Sequence, residues 1–415
     1  MIVPSIDLMD GQAVQLVGGR EKALDAGDPR PIARRFGLAG EVAVIDLDAA
    51  LGQGSNATLV TEILDLARCR VGGGIRDVDT AIRWLDAGAA RVILGTAATP
   101  DVLSKLPRDR VIAALDAVHG EVVVHGWRTR TGRSVTERLS ELSPYVGGFL
   151  VTFVEREGRL QGIDLDAAAR LREACGDGCS LTVAGGVTTI QEIAALDALG
   201  IDAQVGMALY TDRMHLADAI AARLITRADE TLWPTVIVDE LGVALGLAWS
   251  NVESLRRAVE TRRGVYWSRS RGALWEKGTT SGDTQELLAI DLDCDRDCLR
   301  FTVRQHGRGF CHTGARTCWG EDAGLPRLVR RLRDRLEHAP PGSYTRRLFD
   351  APDLLRKKLL EEAEELAEAP DRDNAAWETA DLLYFALAAM IRRGAALEDV
   401  MRHLDRRALK VTRRD

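Results

Sequence analysis

The hydrophobic pattern of residues 1–225 consists of short β-branched runs that alternate with amphipathic stretches rich in alanine and leucine. Several apolar runs end in aspartate or glycine, as in VAVIDLD (42–48), VIAALD (111–116) and LTVAGG (181–186). Alternation of strands and helices on this scale predicts βα units and a parallel sheet. Because about 225 residues suit eight such units, we predict a (βα)8 TIM barrel within an α/β chain.

The same region repeats itself. Asp7 and Asp116 each end a strand-like run and lie 109 residues apart, VGGGI at 71 precedes VAGGV at 183 by 112 residues, and Gly95 precedes Gly206 by 111. Chance similarity between glycine-rich turns explains one such pair well. Three pairs in the same order favour a duplicated half-barrel.

The pattern changes near residues 226–234, where the sequence predicts a strand, a turn and a second strand. A connection rich in proline and glycine (APPGSY, 339–344) leads into helical periodicity, bounded by Pro352 and Pro370 and then by Asp373 as N-cap and Gly394 as C-cap. We therefore predict three domains: a barrel at 1–225, a small α+β domain at 226–322 and an all-helical domain at 323–415.

Composition narrows the function classes. Apolar residues make up 46% and charged residues 28%, which is typical of a globular protein. The net charge of −7 offers no overall basic surface for nucleic acid or an anionic membrane. No apolar run reaches the ~18 residues of a membrane span, and the first residues lack a basic signal-peptide region. We expect a cytoplasmic protein whose seven cysteines are reduced thiols or metal ligands.

Glycine pairs at strand ends leave backbone N–H groups free to bind a phosphate. One such cradle falls in each half of the barrel: Gly73, Gly74, Gly95 and Thr96 in the first, and Gly185, Gly186, Gly206 and Met207 in the second. Two cradles predict a substrate with a phosphate at both ends, and tight packing turns are the alternative. Asp7 and Asp116 face each other across the predicted mouth, where two carboxylates suit general acid–base chemistry.

The segment LLAIDLDCDRDC predicts a metal site. If its strand continues, Asp293, Asp295 and Asp297 share one face and Cys294 points to the other. Three adjacent carboxylates repel one another unless a cation lies among them, and oxygen ligands suit Mg2+. Cys294, Cys311 and Cys318 together supply three thiolates for Zn2+. An exposed acidic turn is the alternative, and the spacing of Cys311 and Cys318 is not a common zinc-finger spacing.

Carboxylates also fall inside apolar helical stripes near the C-terminus. Leu355, Leu359 and Leu366 share a helix face with Glu362, and a second helix places Asp381 in a similar stripe. Burying an unpaired carboxylate is costly, so such groups should surround a cation. We predict a Mg2+ site for a polyphosphate formed by Glu361, Glu362, Glu365, Glu378 and Asp381. An ordinary charged helix face is the alternative.

Three resemblances follow from these motifs. PSIDLMDGQAVQLVGG, VGGGIR, ARVILGTAA and VAGGV resemble the phosphoribosylformimino-aminoimidazole carboxamide ribotide isomerase family over essentially all of 1–225. The resemblance implies a cofactor-free Amadori rearrangement with Asp7 as general base and Asp116 as general acid. It also implies that Thr152 orients the substrate, which Arg76 and Trp127 contact. A GW-x4-G stretch at 126–132 favours this family over its sister, the glutamine-dependent cyclase. In one departure, Glu157-Gly158-Arg159 stands where the family usually has Asp-Gly-Thr.

Residues 228–322 resemble phosphoribosyl-AMP cyclohydrolase through VYWSRSRGALWEKGTTSGDTQ, DLDCDRDCL and CHTGARTC. The resemblance implies zinc on Cys294, Cys311 and Cys318, magnesium on Asp293, Asp295 and Asp297, and hydrolytic opening of an adenine ring between N1 and C6. His312 is a candidate proton carrier, with a neutral turn-capping histidine as the alternative. Arg269, Arg271, Lys277 and Ser281 are expected around the nucleotide phosphate. Family members build this site at a dimer interface, so we expect a homodimer through this domain and the helical one.

Residues 325–412 resemble phosphoribosyl-ATP pyrophosphohydrolase through SYTRRLF, LLRKKLLEEAEE and ETADLLYFAL, with Lys357 and Lys358 as its basic pair. The resemblance implies Mg2+, ATP-like substrates and release of pyrophosphate. Together the three resemblances imply a trifunctional enzyme of L-histidine biosynthesis acting on small phosphoribosyl nucleotides. Two alternatives remain: a helical domain that only dimerises or senses nucleotides, and a barrel that also isomerises phosphoribosylanthranilate.

Overall fold

A computed structural model describes residues 1–19, 21–124, 126–225 and 231–412 of the chain. The described residues form two compact units. The first comprises Met1–Ile237, Leu247–Gly307 and the described part of Leu409–Asp415, and the second comprises Val238–Gly246 and Arg308–Ala408. The predicted domain boundary between residues 225 and 226 adjoins 226–230, which lie outside the described residues. None of the described helices combines the length and hydropathy that a membrane span requires.

The strands are numbered in chain order: β1 (Ile2–Met9), β2 (Gln12–Val17), β3 (Glu21–Gly27), β4 (Glu41–Asp46), β5 (Arg68–Gly72), β6 (Arg91–Leu94), β7 (Val111–Val118), β8 (Glu121–Val124), β9 (Thr129–Ser134), β10 (Gly148–Phe153), β11 (Ser180–Ala184), β12 (Ile201–Val205), β13 (Trp233–Asp239), β14 (Ala244–Ser250), β15 (Val265–Ser268), β16 (Ala273–Glu276), β17 (Gln285–Leu292) and β18 (Leu299–Gln305).

The α-helices are numbered in the same way: α1 (Pro29–Phe36), α2 (Leu47–Leu51), α3 (Ala57–Leu64), α4 (Val78–Ala87), α5 (Pro100–Leu103), α6 (Val135–Leu142), α7 (Leu165–Cys175), α8 (Ile190–Ala198), α9 (Met207–Tyr210), α10 (Leu216–Ala221), α11 (Val252–Thr261), α12 (Gly324–His338), α13 (Tyr344–Asp350), α14 (Pro352–Ala367), α15 (Arg372–Arg392) and α16 (Leu397–Leu409).

Eight parallel strands close into a barrel in the first unit, which confirms the predicted TIM barrel. Their order is β1, β4, β5, β6, β7, β10, β11 and β12, and β12 returns to β1. Side chains of Ile93, Ile112, Leu150 and Ala184, one from each of four strands, meet in a buried cluster. Branched apolar residues of this kind fill the interior of such barrels, so the strands form a packed core rather than a pore.

The two halves of the barrel share a structural detail that matches the sequence repeat. β1 continues into the antiparallel strands β2 and β3, and β7 continues into the antiparallel strands β8 and β9. Asp7 pairs with Val14 in the first hairpin, and Asp116 pairs with Val123 in the second. Both predicted acids therefore lie where a barrel strand leaves the parallel sheet and enters a hairpin.

A six-stranded sheet follows, in the order β16, β15, β14, β13, β18 and β17. Its helix α11 begins at an Asn251 capping box, in which the Asn251 side chain accepts from the Ser254 N–H at 2.8 Å. Arg256 of α11 binds the Asp218 carboxylate of α10, with Nη2 2.8 Å from Oδ2. This ion pair joins the sheet layer to the barrel within the first unit.

The second unit contains helices α12–α15 and α16 up to Ala408, around a buried apolar cluster that includes Val329, Leu348, Phe385 and Ile391. The prediction that Asp373 is the N-cap of α15 is wrong. Asp371 caps the helix because its backbone is extended and its side chain accepts from the Asn374 N–H at 2.9 Å. The helix ends at Arg392 with Arg393 as C-cap, so the predicted cap Gly394 lies one residue beyond, in the left-handed conformation.

Candidate active sites

Asp7 and Asp116 lie near the C-terminal ends of β1 and β7 and line one cavity of about 490 Å3 in the barrel. Both residues are half-buried. Burial raises the pKa of Asp7 to about 7. Burial also raises the pKa of Asp116, against the opposing effect of side-chain hydrogen bonds from Trp127 and Thr152. A carboxylate with a pKa near neutrality can both accept and return a proton at physiological pH.

The side chains of Trp127 and Thr152 both donate hydrogen bonds to Asp116. Thr152 pairs with Asp116 in the register of β10 and β7 and is 8% exposed. Trp127 has a positive φ of 65°, which is rare for a bulky residue, and its ring covers Gly19 so closely that a β-carbon there would lie 2.5 Å from the ring. The Trp127 ring therefore takes the space that a side chain at residue 19 would need.

Glu157 also lines the barrel cavity. Burial, together with the nearby carboxylates Asp7 and Asp116, raises the pKa of its carboxyl group to about 8. Its loop is fixed against β2, because the Gly18 N–H donates to the Glu157 carbonyl at 3.2 Å and a β-carbon at Gly158 would lie 2.5 Å from the Leu16 carbonyl oxygen. Glu157, at which the sequence departs from the family pattern, thus belongs with Asp7 and Asp116 to the set of acidic residues that lines the cavity.

The predicted phosphate cradles line the same cavity as the acids. The lining includes Gly73, Gly74, Arg76, Gly95, Thr96, Gly185, Gly186, Gly206 and Met207. A β-carbon at Gly73 would lie 2.2 Å from the Asp46 carbonyl oxygen, and one at Gly185 would lie 2.4 Å from the Phe153 carbonyl oxygen. Because Asp46 and Phe153 end β4 and β10, each cradle rests on the end of the preceding barrel strand.

The predicted continuation of a strand through Asp293, Asp295 and Asp297 is wrong. β17 ends at Leu292, and residues 293–298 form a turn that is closed by the Cys298 N–H donating to Asp293 Oδ1 at 3.1 Å. The turn nevertheless gathers the three carboxylates, each with an oxygen within 4.8 Å of the others. Arg296, with a φ of 64°, forms an ion pair with Asp197 of the barrel.

The predicted zinc ligands are divided between the two units, with one in the first and two in the second. Cys294 is exposed in the first unit, with Sγ 3.9 Å from Asp295 Oδ1. Cys311 and Cys318 come together in the second unit, where the Thr313 hydroxyl donates to Cys311 Sγ at 3.1 Å. The hydroxyl and N–H of Thr313, followed by the Cys318 side chain, lower the pKa of the Cys311 thiol. His312 is exposed, with Nδ1 3.8 Å from Cys311 Sγ.

The residues predicted around the nucleotide phosphate differ in exposure. Arg269 stacks over the Trp249 ring at 4.3 Å, and Arg271 Nε donates to Ser268 Oγ at 3.1 Å. Ser281 Oγ accepts from the Asp283 N–H at 3.2 Å. Lys277 is only 6% exposed, whereas the other three are on the surface.

The acidic cluster of the second unit contains Glu362, Glu378 and Asp381, each with a carboxylate oxygen within 4.8 Å of the others. Glu362 is 5% exposed, as its predicted place in an apolar stripe requires. Burial and the neighbouring Glu378 raise the pKa of Glu365. Glu361 instead pairs with Lys358, with 2.7 Å between Oε1 and Nζ, and Lys357 is exposed.

Three family models match the chain in order. Residues 1–215, more than half of the chain, match the model described as Histidine biosynthesis protein. The chain belongs to this family. Residues 246–320 match the model for Phosphoribosyl-AMP cyclohydrolase, and residues 325–408 match the model for Phosphoribosyl-ATP pyrophosphohydrolase.

Curated relatives of this family member carry related names. The Histidine biosynthesis bifunctional protein of Schizosaccharomyces pombe is 50% identical over 202 residues, which are 49% of this chain and 48% of that protein. The Histidine biosynthesis trifunctional protein of Saccharomyces cerevisiae is 46% identical over 200 residues, 48% of this chain and 25% of that protein. The chain therefore spans about half or less of these fungal relatives. An imidazole-4-carboxamide isomerase of Halobacterium salinarum is 41% identical over 236 residues, 53% of this chain and 96% of that protein.

The sequence does not point to two polar residues that lie beside the predicted ligands. Asn374 Nδ2 donates to Glu378 Oε1 at 3.0 Å and fixes one carboxylate of the helical cluster. Thr313 donates to Cys311, as described above. Both residues lie within four positions of a predicted ligand, but polar residues are common at such places, and nothing in their type marks them as partners.

Proposed function

We propose that this member of the histidine biosynthesis protein family is a trifunctional enzyme. Its helical region hydrolyses phosphoribosyl-ATP to phosphoribosyl-AMP and pyrophosphate, its middle region opens the adenine ring of phosphoribosyl-AMP, and its barrel isomerises the resulting aminoaldose to an aminoketose. The observation that carries the proposal is that Asp7, Asp116 and both glycine cradles line one cavity. The order of the three family matches along the chain supports the other two activities.

In the barrel, the two cradles hold the phosphates at the two ends of the substrate through backbone N–H groups. Asp116, oriented by Trp127 and Thr152, donates a proton to the ribose ring oxygen and opens the ring. Asp7 removes a proton from the adjacent carbon, and the double bond that forms then rearranges to the ketone. No net atom is gained or lost, so two correctly placed carboxyl groups suffice for the proton transfers.

The middle region suits zinc at Cys311 and Cys318, because the donors around Cys311 favour the thiolate, which is the form that binds metal. The third ligand, Cys294, is assigned by resemblance. When bound, zinc supplies a water of lowered pKa for attack on the adenine ring. Asp293, Asp295 and Asp297 suit Mg2+, since their oxygens already lie close together. His312 carries the proton of that reaction, and Arg269, Arg271, Lys277 and Ser281 form the nucleotide-binding set.

The helical region suits Mg2+ in the same way. Glu362, Glu378 and Asp381 are held together although like charges repel, which indicates a site for a cation. When bound, Mg2+ neutralises the triphosphate and orients water for its hydrolysis. Glu361 and Glu365 border the cluster, and Lys357 and Lys358 bind the released phosphates.

We also propose a homodimer in the cytoplasm. The helical unit exposes large apolar side chains, including Leu360 at 54% and Trp377 at 70% of their surface. Burying such groups between two copies stabilises a dimer. A dimer also agrees with the resemblance, in which two copies build the cyclohydrolase site.

The test supplies the full chain with phosphoribosyl-ATP, Mg2+ and Zn2+ and separates the products by chromatography with mass detection. We expect loss of pyrophosphate, then gain of one water, and then a new chromatographic peak of unchanged mass, since isomerisation moves no atoms in or out. An Asp116→Asn variant should stop at the aminoaldose. Phosphoribosyl-ATP that stays intact, or an aminoaldose that persists with the unmodified chain, would contradict the proposal.

A further inference from the structure

The carboxylate of Asp239 lies between two arginines from different segments of the second unit. Asp239 ends β13 and is 1% exposed. Its Oδ1 accepts from the Leu241 and Val243 N–H groups at 3.1 and 2.9 Å, which fixes the turn that follows. Its Oδ2 accepts from Arg316 Nη2 at 2.8 Å and lies 4.0 Å from Arg330 Nη1.

Arg316 belongs to the loop that carries the thiols Cys311 and Cys318. The arginine is 5% exposed, and its carbonyl accepts from the Phe310 N–H at 3.0 Å, directly before Cys311. On the other side, the Cys318 N–H donates to the Leu245 carbonyl at 2.8 Å. The position of Arg316 therefore determines the conformation of the backbone between the two thiols.

Arg330 belongs to α12, which follows the loop. Its guanidinium forms an ion pair with Asp322, whose side chain is 5% exposed, and also faces Asp239. The positive charges of Arg316 and Arg330 thus compensate the negative charges of the buried carboxylates of Asp239 and Asp322. A buried ion pair that loses one partner leaves an uncompensated charge, and the remaining groups must move or take up water. Loss of Arg330 would leave Asp322 without this cation and Asp239 with Arg316 alone.

From this arrangement we propose that Arg330 is a positioning residue for the metal-binding loop Cys311–Cys318, acting through Asp239 and Arg316. Arg330 lies outside the stretch that matches the cyclohydrolase model, 246–320, and inside the stretch that matches the pyrophosphohydrolase model, 325–408. A helix of one predicted enzyme thus organises the metal ligands of the other. The proposal rests on the proposed assignment of a metal to Cys311 and Cys318.

The test measures metal binding by the full chain with Co2+ as the probe, because cobalt bound to thiolates gives a charge-transfer absorption. We expect Arg330→Met to weaken Co2+ and Zn2+ binding by about 10–100-fold, the range for loss of a residue that orients metal ligands. The matched control is Arg331→Met at the next, exposed position of α12, which should bind as the unmodified chain does. Tight binding by a folded Arg330→Met variant would overturn the proposal.

A milder variant covers the case in which Arg330→Met does not fold. Arg330→Lys keeps the charge but offers a single ammonium nitrogen in place of the two guanidinium nitrogens that face Asp239 and Asp322. It should therefore fold, show an intermediate affinity and retain pyrophosphate release from phosphoribosyl-ATP. Arg330→Lys affinity equal to that of the unmodified chain would also overturn the proposal. A Cys311→Ser variant separates this failure from that of the proposed function. If Cys311→Ser binds Co2+ as the unmodified chain does, the metal assignment itself is wrong.

Discussion

Arg70 and Thr182 hold equivalent positions in the two sequence repeats, and their side chains meet inside the barrel, where Arg70 Nη1 donates to Thr182 Oγ1 at 3.0 Å. Arg70 is fully buried, and its Nε donates to Glu41 Oε2 at 2.9 Å. One repeat thus supplies a cation and the other a neutral acceptor at the same place. The two repeats therefore differ at this position, and the barrel buries one arginine there rather than two.

The first prediction concerns the stability of this ion pair. Arg70→Met removes the main partner of Glu41, which is 5% exposed, so we expect the free energy of unfolding to fall by about 3–5 kcal/mol. Arg91, 3.6 Å from Glu41, favours the lower end of that range. Urea unfolding, monitored through the loss of isomerase activity, measures the change in the free energy of unfolding. Arg68→Met is the control: its side chain is 73% exposed and 3.8 Å from Glu41, so the change should stay below about 1 kcal/mol. Equal effects of the two variants would contradict the prediction.

The second prediction concerns the glycine cradle. Gly73→Ala places a β-carbon 2.2 Å from the Asp46 carbonyl oxygen at a φ of 91°, so the loop must move and isomerase kcat/KM should fall by roughly 100-fold. Gly120→Ala shares the positive φ but meets nothing within 4 Å, and should cost only about 1 kcal/mol of strain. Steady-state kinetics with the aminoaldose distinguish the two. A Gly73→Ala enzyme with normal kcat/KM would show that the cradle does not bind the substrate.

The third prediction concerns pH. A general base must be deprotonated, so the isomerase kcat/KM should fall as the pH drops through about 7, the pKa of Asp7 in the substrate-free protein. Above about pH 8, Glu157 ionises and adds a negative charge to the cavity, so KM for the anionic substrate should rise. Glu157→Gln should remove the rise in KM above pH 8 but keep the fall in isomerase activity below about pH 7. A profile that is flat between pH 6 and 9 would contradict the role of Asp7.

The fourth prediction concerns magnesium in the helical region. Glu362→Gln removes one charge from the acidic cluster, so the Mg2+ concentration for half-maximal pyrophosphate release should rise more than about 10-fold. Glu364→Gln, on the exposed face of the same helix, is the matched control and should leave the Mg2+ dependence unchanged. An unchanged Mg2+ dependence in Glu362→Gln would remove this residue from the metal site.

The sequence was most informative where periodicity and chemistry coincide. Repeated strand ends located Asp7 and Asp116 in the barrel, since parallel strands place their C-terminal ends at one edge. The sequence predicts that Asp293, Asp295 and Asp297 lie together but for the wrong reason, because a turn and not a strand brings them together. Contacts between segments that are distant in sequence produce no recognisable pattern in the sequence. Neither Arg330 nor the environment of Glu157 follows from local pattern, because both depend on how separate loops pack.

The division of the described chain into units governs how it can be dissected. Val238–Gly246 packs with Arg308–Ala408, although sixty-one residues of the other unit, Leu247–Gly307, lie between them in sequence. A gene fragment that starts at the pyrophosphohydrolase match would omit a strand end and turn of the same compact unit, including Asp239. Shortened versions for biotechnology should therefore carry Val238–Gly246 on a linker or as a separate peptide.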